Sequence, residues 1–181
     1  VFTDTGTFSS TNTILDVNWT FLLAILSAAT MTVGNILALR QDNVKRMLAY
    51  STISHVGFML MAFSIISPEA VRAIMLYLFI YLFMNLAAFY MVIFASNKMN
   101  AHHIEDWVGL SRKNPVLCAF MALTLISLTG LPPTAGFVGK FYIFAAVIEA
   151  GSQYYWLAFV GVVNSVVSLY YYIRVVKHMY L

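Results

Sequence analysis

Lys140 is the residue in this sequence best placed to do chemistry. It lies inside a long apolar run, one to two helical turns beyond an adjacent pair of prolines, Pro132 and Pro133. Nine residues separate it from Glu149, roughly 13 Å along a helix. A lysine held away from bulk water can exchange its proton with a carrier. The proline pair would break the helix, freeing carbonyls and admitting the water that a proton needs. The alternative is that Lys140 snorkels to an interface or pairs structurally with an acid, and nine residues is far to snorkel.

A second cluster is Ser51, Ser54 and His55, which share one helical face at i, i+3 and i+4. Histidine titrates near neutrality, and its two ring nitrogens suit a relay between waters. The same pattern fits a hydrogen-bonding histidine with serines at a close helix contact, and both readings stay open. Tyr77, Tyr81 and Asn85 recur every four residues. They could order water, but such uncharged stripes more often join helices. His102 and His103 are adjacent and lack the i, i+4 geometry of a helical zinc pair, so residues 102–106 read as a solvated loop that packs against a partner. Tyr170-Tyr171-Tyr172-Ile173-Arg174 reads as an interfacial aromatic belt with a cationic anchor.

These residues need elements to position them, and the composition says which kind. Of 181 residues, 61% are apolar and 9% are charged, against about 25% charged in a soluble domain. That excludes a cytosolic enzyme, a disordered tail and a secreted disulfide domain. One cysteine, Cys118, is too few for an internal disulfide or an iron–sulfur cluster. The nine glycines form neither a dinucleotide fingerprint nor a phosphate loop. The net charge of +3 has a topological explanation and does not call for nucleic acid as a partner. The expected fold is an all-α polytopic membrane helix bundle in a lipid bilayer.

A membrane-crossing helix needs about 20 mostly apolar residues. Residues 19–39, 47–66, 72–96 and 154–176 fit. The stretch 115–149 would extend about 52 Å as one straight helix, so it is expected to cross once as a discontinuous helix broken near 130–136. The bundle thus has five spans in a single domain, 19–181, preceded by a polar loop, 1–18, outside the membrane. The start, Val1 with no basic or apolar leader pattern, reads as the middle of a longer subunit. Arg40, Lys45, Arg46, Lys98, Arg112, Lys113, Arg174 and Lys177 fall on one side, and only Arg72 falls on the other. The positive-inside rule places the eight, with the C-terminus, in the cytoplasm and the N-terminal loop outside.

The run Gly34–Gly57, which contains Lys45-Arg46-Met47-Leu48-Ala49-Tyr50-Ser51 and Ser54-His55, resembles a segment of the antiporter-like membrane subunits of respiratory complex I. Leu128-Thr129-Gly130-Leu131-Pro132-Pro133-Thr134-Ala135-Gly136-Phe137-Val138-Gly139-Lys140 resembles their C-terminal broken helix, and Ser168–Arg174 resembles the helix after it. The larger sister subunits carry histidines and a lysine on the helix matching Tyr77, Tyr81 and Asn85. Their absence here points to the subunit N branch, away from the sodium/proton antiporter relatives. The resemblance implies two inverted five-helix repeats in the whole subunit, of which this chain matches the second. It also implies proton transfer through Lys140, with His55 and Lys45 on matching motif positions; from the residue pattern itself, Ser51, Ser54, Tyr81, Asn85, Pro132 and Pro133 are the supporting candidates.

The expected function is proton translocation coupled to quinone reduction in the bacterial inner (plasma) membrane. On that resemblance the chain is expected to be a non-redox subunit of an NADH–quinone oxidoreductase-like enzyme. Quinone, flavin and iron–sulfur centres belong to other subunits, and the chain needs further membrane-arm subunits to work. The rival readings are a subunit of a multi-subunit cation/proton antiporter or of a membrane-bound hydrogenase, and a membrane scaffold without transport. A scaffold has no use for a lysine beside a helix break, so replacing Lys140 separates the two.

Overall fold

The computed structural model describes residues 18–99 and 101–181, and the polar loop expected over 1–18 lies outside them except for Asn18. The described residues are mostly helical. They form α1 (Trp19–Leu39), α2 (Val44–Phe63), α3 (Pro68–Met99), a short α4 (Leu110–Lys113), α5 (Pro115–Thr129), α6 (Ala135–Glu149) and α7 (Tyr155–Tyr180), with single 3-10 turns at Ile104–Trp107 and Ser152–Tyr154. Local chemistry fixes the boundaries. The Asn18 and Asn43 side chains cap α1 and α2 by accepting from the backbone N–H groups of Phe21 and Arg46. Ser67 Oγ does the same for Ala70, and Pro68 and Pro115 open α3 and α5, where a missing N–H costs nothing.

The Asn43 cap starts α2 at Val44, three residues before the apolar pattern begins at Met47, so Lys45 and Arg46 lie in its first turn. α3 and α7 likewise extend past their apolar cores, to Met99 and Tyr180. By length and composition, α1, α3 and the segment Ser152–Tyr180 can each cross a membrane. α2 is as long but carries Lys45, Arg46, Ser51, Thr52, Ser54 and His55.

α2 lies at the centre of the bundle, against α1, α3, α6 and α7, while α3 also packs on α5 and α6. The outer surface is apolar: Phe79, Phe83, Leu123, Phe159 and Val166 all point outward. The interior holds Ser27, Asn35, Ser51, Ser54, His55, Lys140, Asn164 and Ser168. Such a distribution suits a solvent of lipid, in which polar groups must find partners inside the protein. α1 and α2 approach closely because Gly34 and Gly57 carry no side chain. A Cβ on Gly34 would stand 2.7 Å from the backbone nitrogen of Ser54, and one on Gly57 would stand 2.7 Å from that of Met31.

α5 and α6, of 15 residues each, are separated by residues 130–134. Gly130 ends α5 in the left-handed region at φ 82°, with its N–H bonded to the carbonyls of Ile126 and Ser127. The Pro132–Pro133 peptide is cis. α6 then starts beside the end of α5: Gly136 N–H donates to Ser127 Oγ at 3.3 Å, and the Ser127 carbonyl occupies the space that a Cβ on Gly136 would need.

Candidate functional site

The helix break and Lys140 form one unit. Lys140 is the sixth residue of α6 and is 4% exposed. Its Nζ donates to the Thr129 carbonyl at 2.8 Å and to Ser165 Oγ on α7 at 3.1 Å. Thr129 is the last residue of α5, so its carbonyl is one of those that a helix end leaves without an intrahelical donor. Gly130 makes room for the lysine stem, since a Cβ there would lie 2.8 Å from Lys140 Cδ. The Phe58 ring closes another side, its centroid 4.8 Å from Nζ. No carboxylate pairs with this ammonium among the described residues, and their one ion pair is Arg174–Asp42 at 2.7 Å.

A cleft of about 270 Å³, open toward the outer surface and mostly apolar, adjoins the lysine, walled by Gly130, Phe141, Val166 and Leu169 among others. Its polar wall is confined to Lys140, Thr129 and Ser165, the groups that bond one another.

His55 is the centre of a second buried cluster. Its Nδ1 is 2.5 Å from the Tyr77 hydroxyl on α3, and its Nε2 is 3.3 Å from the Tyr172 hydroxyl on α7. The Tyr81 ring lies against the imidazole with centroids 4.9 Å apart, and it stacks on Tyr77 at an interplanar angle of 10°. A neutral imidazole donates from one nitrogen and accepts at the other. The two tyrosines therefore occupy the two roles that a tautomer change would exchange. The buried Tyr81 hydroxyl makes no hydrogen bond among the described residues.

Tyr171, adjacent to Tyr172 and with ring centroids 4.5 Å apart, leads to a further buried group. Its hydroxyl donates to Asn35 Oδ1 at 3.0 Å, while Asn35 Nδ2 donates to Asn164 Oδ1 at 2.9 Å. The aromatic-belt reading of 170–172 is thereby corrected. Tyr170 alone faces outward, and Tyr171 and Tyr172 turn inward because α7 packs on both α1 and α2. Asn35, Asn164 and Ser165 join the buried polar set beyond the residues expected from the sequence. The spacing of Asn164, Ser168 and Tyr171–Tyr172, at i, i+4 and i+7/i+8, was the available signal.

The other candidates are placed differently. Ser51 Oγ donates to the Leu48 carbonyl of its own helix at 2.7 Å, and Ser54 is buried at the close contact with Gly34. Asn85 is partly buried, one turn beyond Tyr81. Lys45 is exposed at the start of α2, ten residues and about 15 Å along the helix from His55. Pro132 and Pro133 sit in the exposed connection between α5 and α6.

The 102–106 loop packs on this chain itself. Asn43 and His103 form an isolated antiparallel bridge, and Ile104 N–H donates to the Asp42 carbonyl at 2.8 Å. The Asp106 carboxylate accepts from the backbone N–H groups of His103 and His102 at 2.8 and 2.9 Å. Those bonds hold its pKa below the ordinary aspartate value.

Residues 6–168 match the family described as NADH:quinone oxidoreductase/Mrp antiporter, transmembrane. NADH-quinone oxidoreductase subunit N 2 of Sorangium cellulosum is 52% identical over 90% of this chain and 33% of its own length. Subunit N of Trichlorobacter lovleyi is 47% identical over 90% and 33%. The chain thus spans about a third of the length of the curated relatives it matches. Among solved structures, a chain of respiratory complex I from Thermus thermophilus with bound aureothin superposes with TM-score 0.75 at 35% identity, over 88% of this chain and 36% of that one. A chain of an archaeal membrane-bound sulfane sulfur reductase gives 0.83 at 28%, over 90% and 33%.

Proposed function

This chain belongs to the NADH:quinone oxidoreductase/Mrp antiporter transmembrane family, and on that premise we propose that it translocates protons as part of the membrane arm of an NADH–quinone oxidoreductase. The observation that carries this reading is Lys140, a buried ammonium held by the open end of a broken helix and by neutral partners alone among the described residues. A lysine so placed is a functional group by default, because an uncompensated charge at membrane depth is costly to keep. Relatives at 47–52% identity that bear the subunit N name favour a quinone-reducing complex over a free-standing antiporter.

In this reading residues 19–181 cross the membrane five times as one bundle, with α5 and α6 together forming the fourth crossing. The basic helix ends face the bacterial cytoplasm, the segment 1–18 lies outside, and the bundle forms part of a longer subunit. Lys140 takes and releases protons at Nζ. His55 relays between the Tyr77 and Tyr172 hydroxyls by changing tautomer, and Lys45 serves proton entry at the start of α2. Ser51 and Ser54 pack the helix carrying His55, Tyr81 and Asn85 line the facing stripe, and Pro132 and Pro133 maintain the break. Electron transfer, with its flavin, iron–sulfur centres and quinone, belongs to partner subunits. This subunit contributes proton transport to their enzyme and does not function alone.

The test is Lys140→Met in the assembled complex, reconstituted in sealed vesicles. Methionine keeps most of the volume and removes the charge. Quinone reduction and proton uptake are expected to fall together, since a blocked proton path restrains the redox reaction that drives it. Normal values of both would sink the role of Lys140.

A further inference from the structure

The two oxygens that hold Lys140 Nζ are chemically unlike. The Thr129 carbonyl, at 2.8 Å, can only accept. The Ser165 hydroxyl, at 3.1 Å, can accept or donate, and its hydrogen rotates to suit. With the lysine charged, Ser165 Oγ accepts from Nζ and donates to the same Thr129 carbonyl at 3.4 Å. That second bond lies beyond the usual range for a hydroxyl donor, so it is readily given up.

A lysine that has lost its proton keeps two N–H groups and gains a lone pair. One N–H still serves the Thr129 carbonyl, and the lone pair needs a donor. The other donors at the break are already spent. Thr129 Oγ1 donates to the Ile126 carbonyl, and Gly130 N–H is bonded to the carbonyls of Ile126 and Ser127. The remaining contact of Nζ is the Phe58 ring, and the adjoining walls Phe141, Phe144, Val162, Val166 and Leu169 are apolar. Among the described residues that leaves the Ser165 hydroxyl.

We infer that Ser165 is a positioning residue for Lys140, whose hydroxyl accepts from the ammonium and donates to the neutral amine, holding Nζ in one place in both protonation states. The reversal needs only a turn of the hydroxyl about its own C–O bond, from Thr129 toward Nζ. Ser165 keeps its hydrogen throughout and carries no proton onward. The location gives this exchange its weight, since an unpaired polar group inside a bundle surrounded by lipid has little water to fall back on.

The inference rests on the proton-translocation reading and deepens it, and the experiment separates the two. In the assembled complex in sealed vesicles, Ser165→Ala is expected to lower quinone reduction per complex roughly two- to tenfold, the worth of one hydrogen bond. Ser165→Cys fills nearly the same space but is a weak donor, and is expected to lose about as much. Ser165→Thr keeps the hydroxyl and is expected to recover most of the wild-type rate. A residue that only filled space would be replaced adequately by Cys, and its loss would lower the amount of assembled complex while leaving the rate per complex unchanged. If Ser165→Ala fails to assemble, Cys against Thr makes the same comparison. Wild-type turnover per complex in Ser165→Ala or Ser165→Cys, or a loss in Ser165→Thr equal to that in Ser165→Cys, would overturn the inference. If Lys140→Met blocks turnover while Ser165→Cys is normal, the role of Ser165 alone fails. If Lys140→Met is silent, the reading beneath it fails as well.

Discussion

Nζ of Lys140 donates to the carbonyl oxygen of Thr129 at 2.8 Å, tying the second turn of α6 to the last residue of α5. The lysine thus satisfies a backbone group that the helix break exposes, and the break gives the ammonium an acceptor carrying no charge. Removing either one changes the other's surroundings.

Replacing Lys140 by arginine tests whether charge alone suffices. A guanidinium does not release its proton in the physiological range, and its planar fork would replace the compact ammonium that bonds both Thr129 and Ser165. Proton uptake by the assembled complex is expected to drop about tenfold or more, in the range that loss of one acid–base group costs. Activity close to wild type would mean that the residue acts as a fixed charge.

Gly130→Ala places a side chain at φ 82° and a Cβ 2.8 Å from Lys140 Cδ. The left-handed conformation alone costs about 1–2 kcal/mol, and the lysine must move as well. A lower thermal transition of the complex, accompanied by a loss of quinone reduction greater than the loss of assembled protein, is the expected result. A shift in stability with full activity per complex would show that Lys140 tolerates displacement.

His55 can be tested by a graded pair. Gln retains a donor and an acceptor for Tyr77 and Tyr172 but cannot carry a proton between them, and Ala does neither. If His55 relays, both variants slow proton-coupled turnover. If it only joins α2 to α3 and α7, Gln is nearly silent while Ala impairs assembly. We expect the first pattern.

Asn164→Ala removes one acceptor of the Asn35 amide and leaves the Asn164 backbone carbonyl as the other, so it should destabilise the α1–α7 contact by about 0.5–1.5 kcal/mol, as interhelical polar contacts in membranes do. Thermal unfolding of the complex is the measurement, and a change close to zero would show that other groups take over the bond.

Asp106 sets a pH dependence at the loop. Its carboxyl is held below the ordinary value of 3.8 by the backbone N–H groups of His103 and His102. A depressed folded value stabilises the loop above the unfolded pKa, and that contribution is lost as pH falls through the folded one. Amide-exchange protection of His102 and His103 is therefore expected to stay level from neutrality down to about pH 4 and to decline below it. Asp106→Asn should lower that protection already at neutral pH and leave no acid-dependent step.

The sequence made Lys140, the Pro132–Pro133 break and the Ser51–His55 face legible because each depends on spacing along one helix or on a backbone rule. The Tyr77–Tyr81 half of the stripe reaches His55, whereas Asn85 stays one turn away from it. Asn35 with Asn164, the inward turn of Tyr171 and Tyr172, and the place of Phe58 were not legible. Those depend on which face of one helix meets which face of another, and that is fixed only when α1, α2, α6 and α7 pack together. Phe58 in particular is one more apolar residue in an apolar chain until its neighbours are known.

The passage of α6 beside α5 at Gly136 has a mechanical meaning. Two rods joined end to end at a loop can swivel, but rods that overlap and are fastened side by side form a lap joint. Here the fasteners are Gly136 N–H on Ser127, and Lys140 on Thr129. A shift of α5 would have to carry the first turns of α6 with it or break those two bonds, at the level of the ammonium.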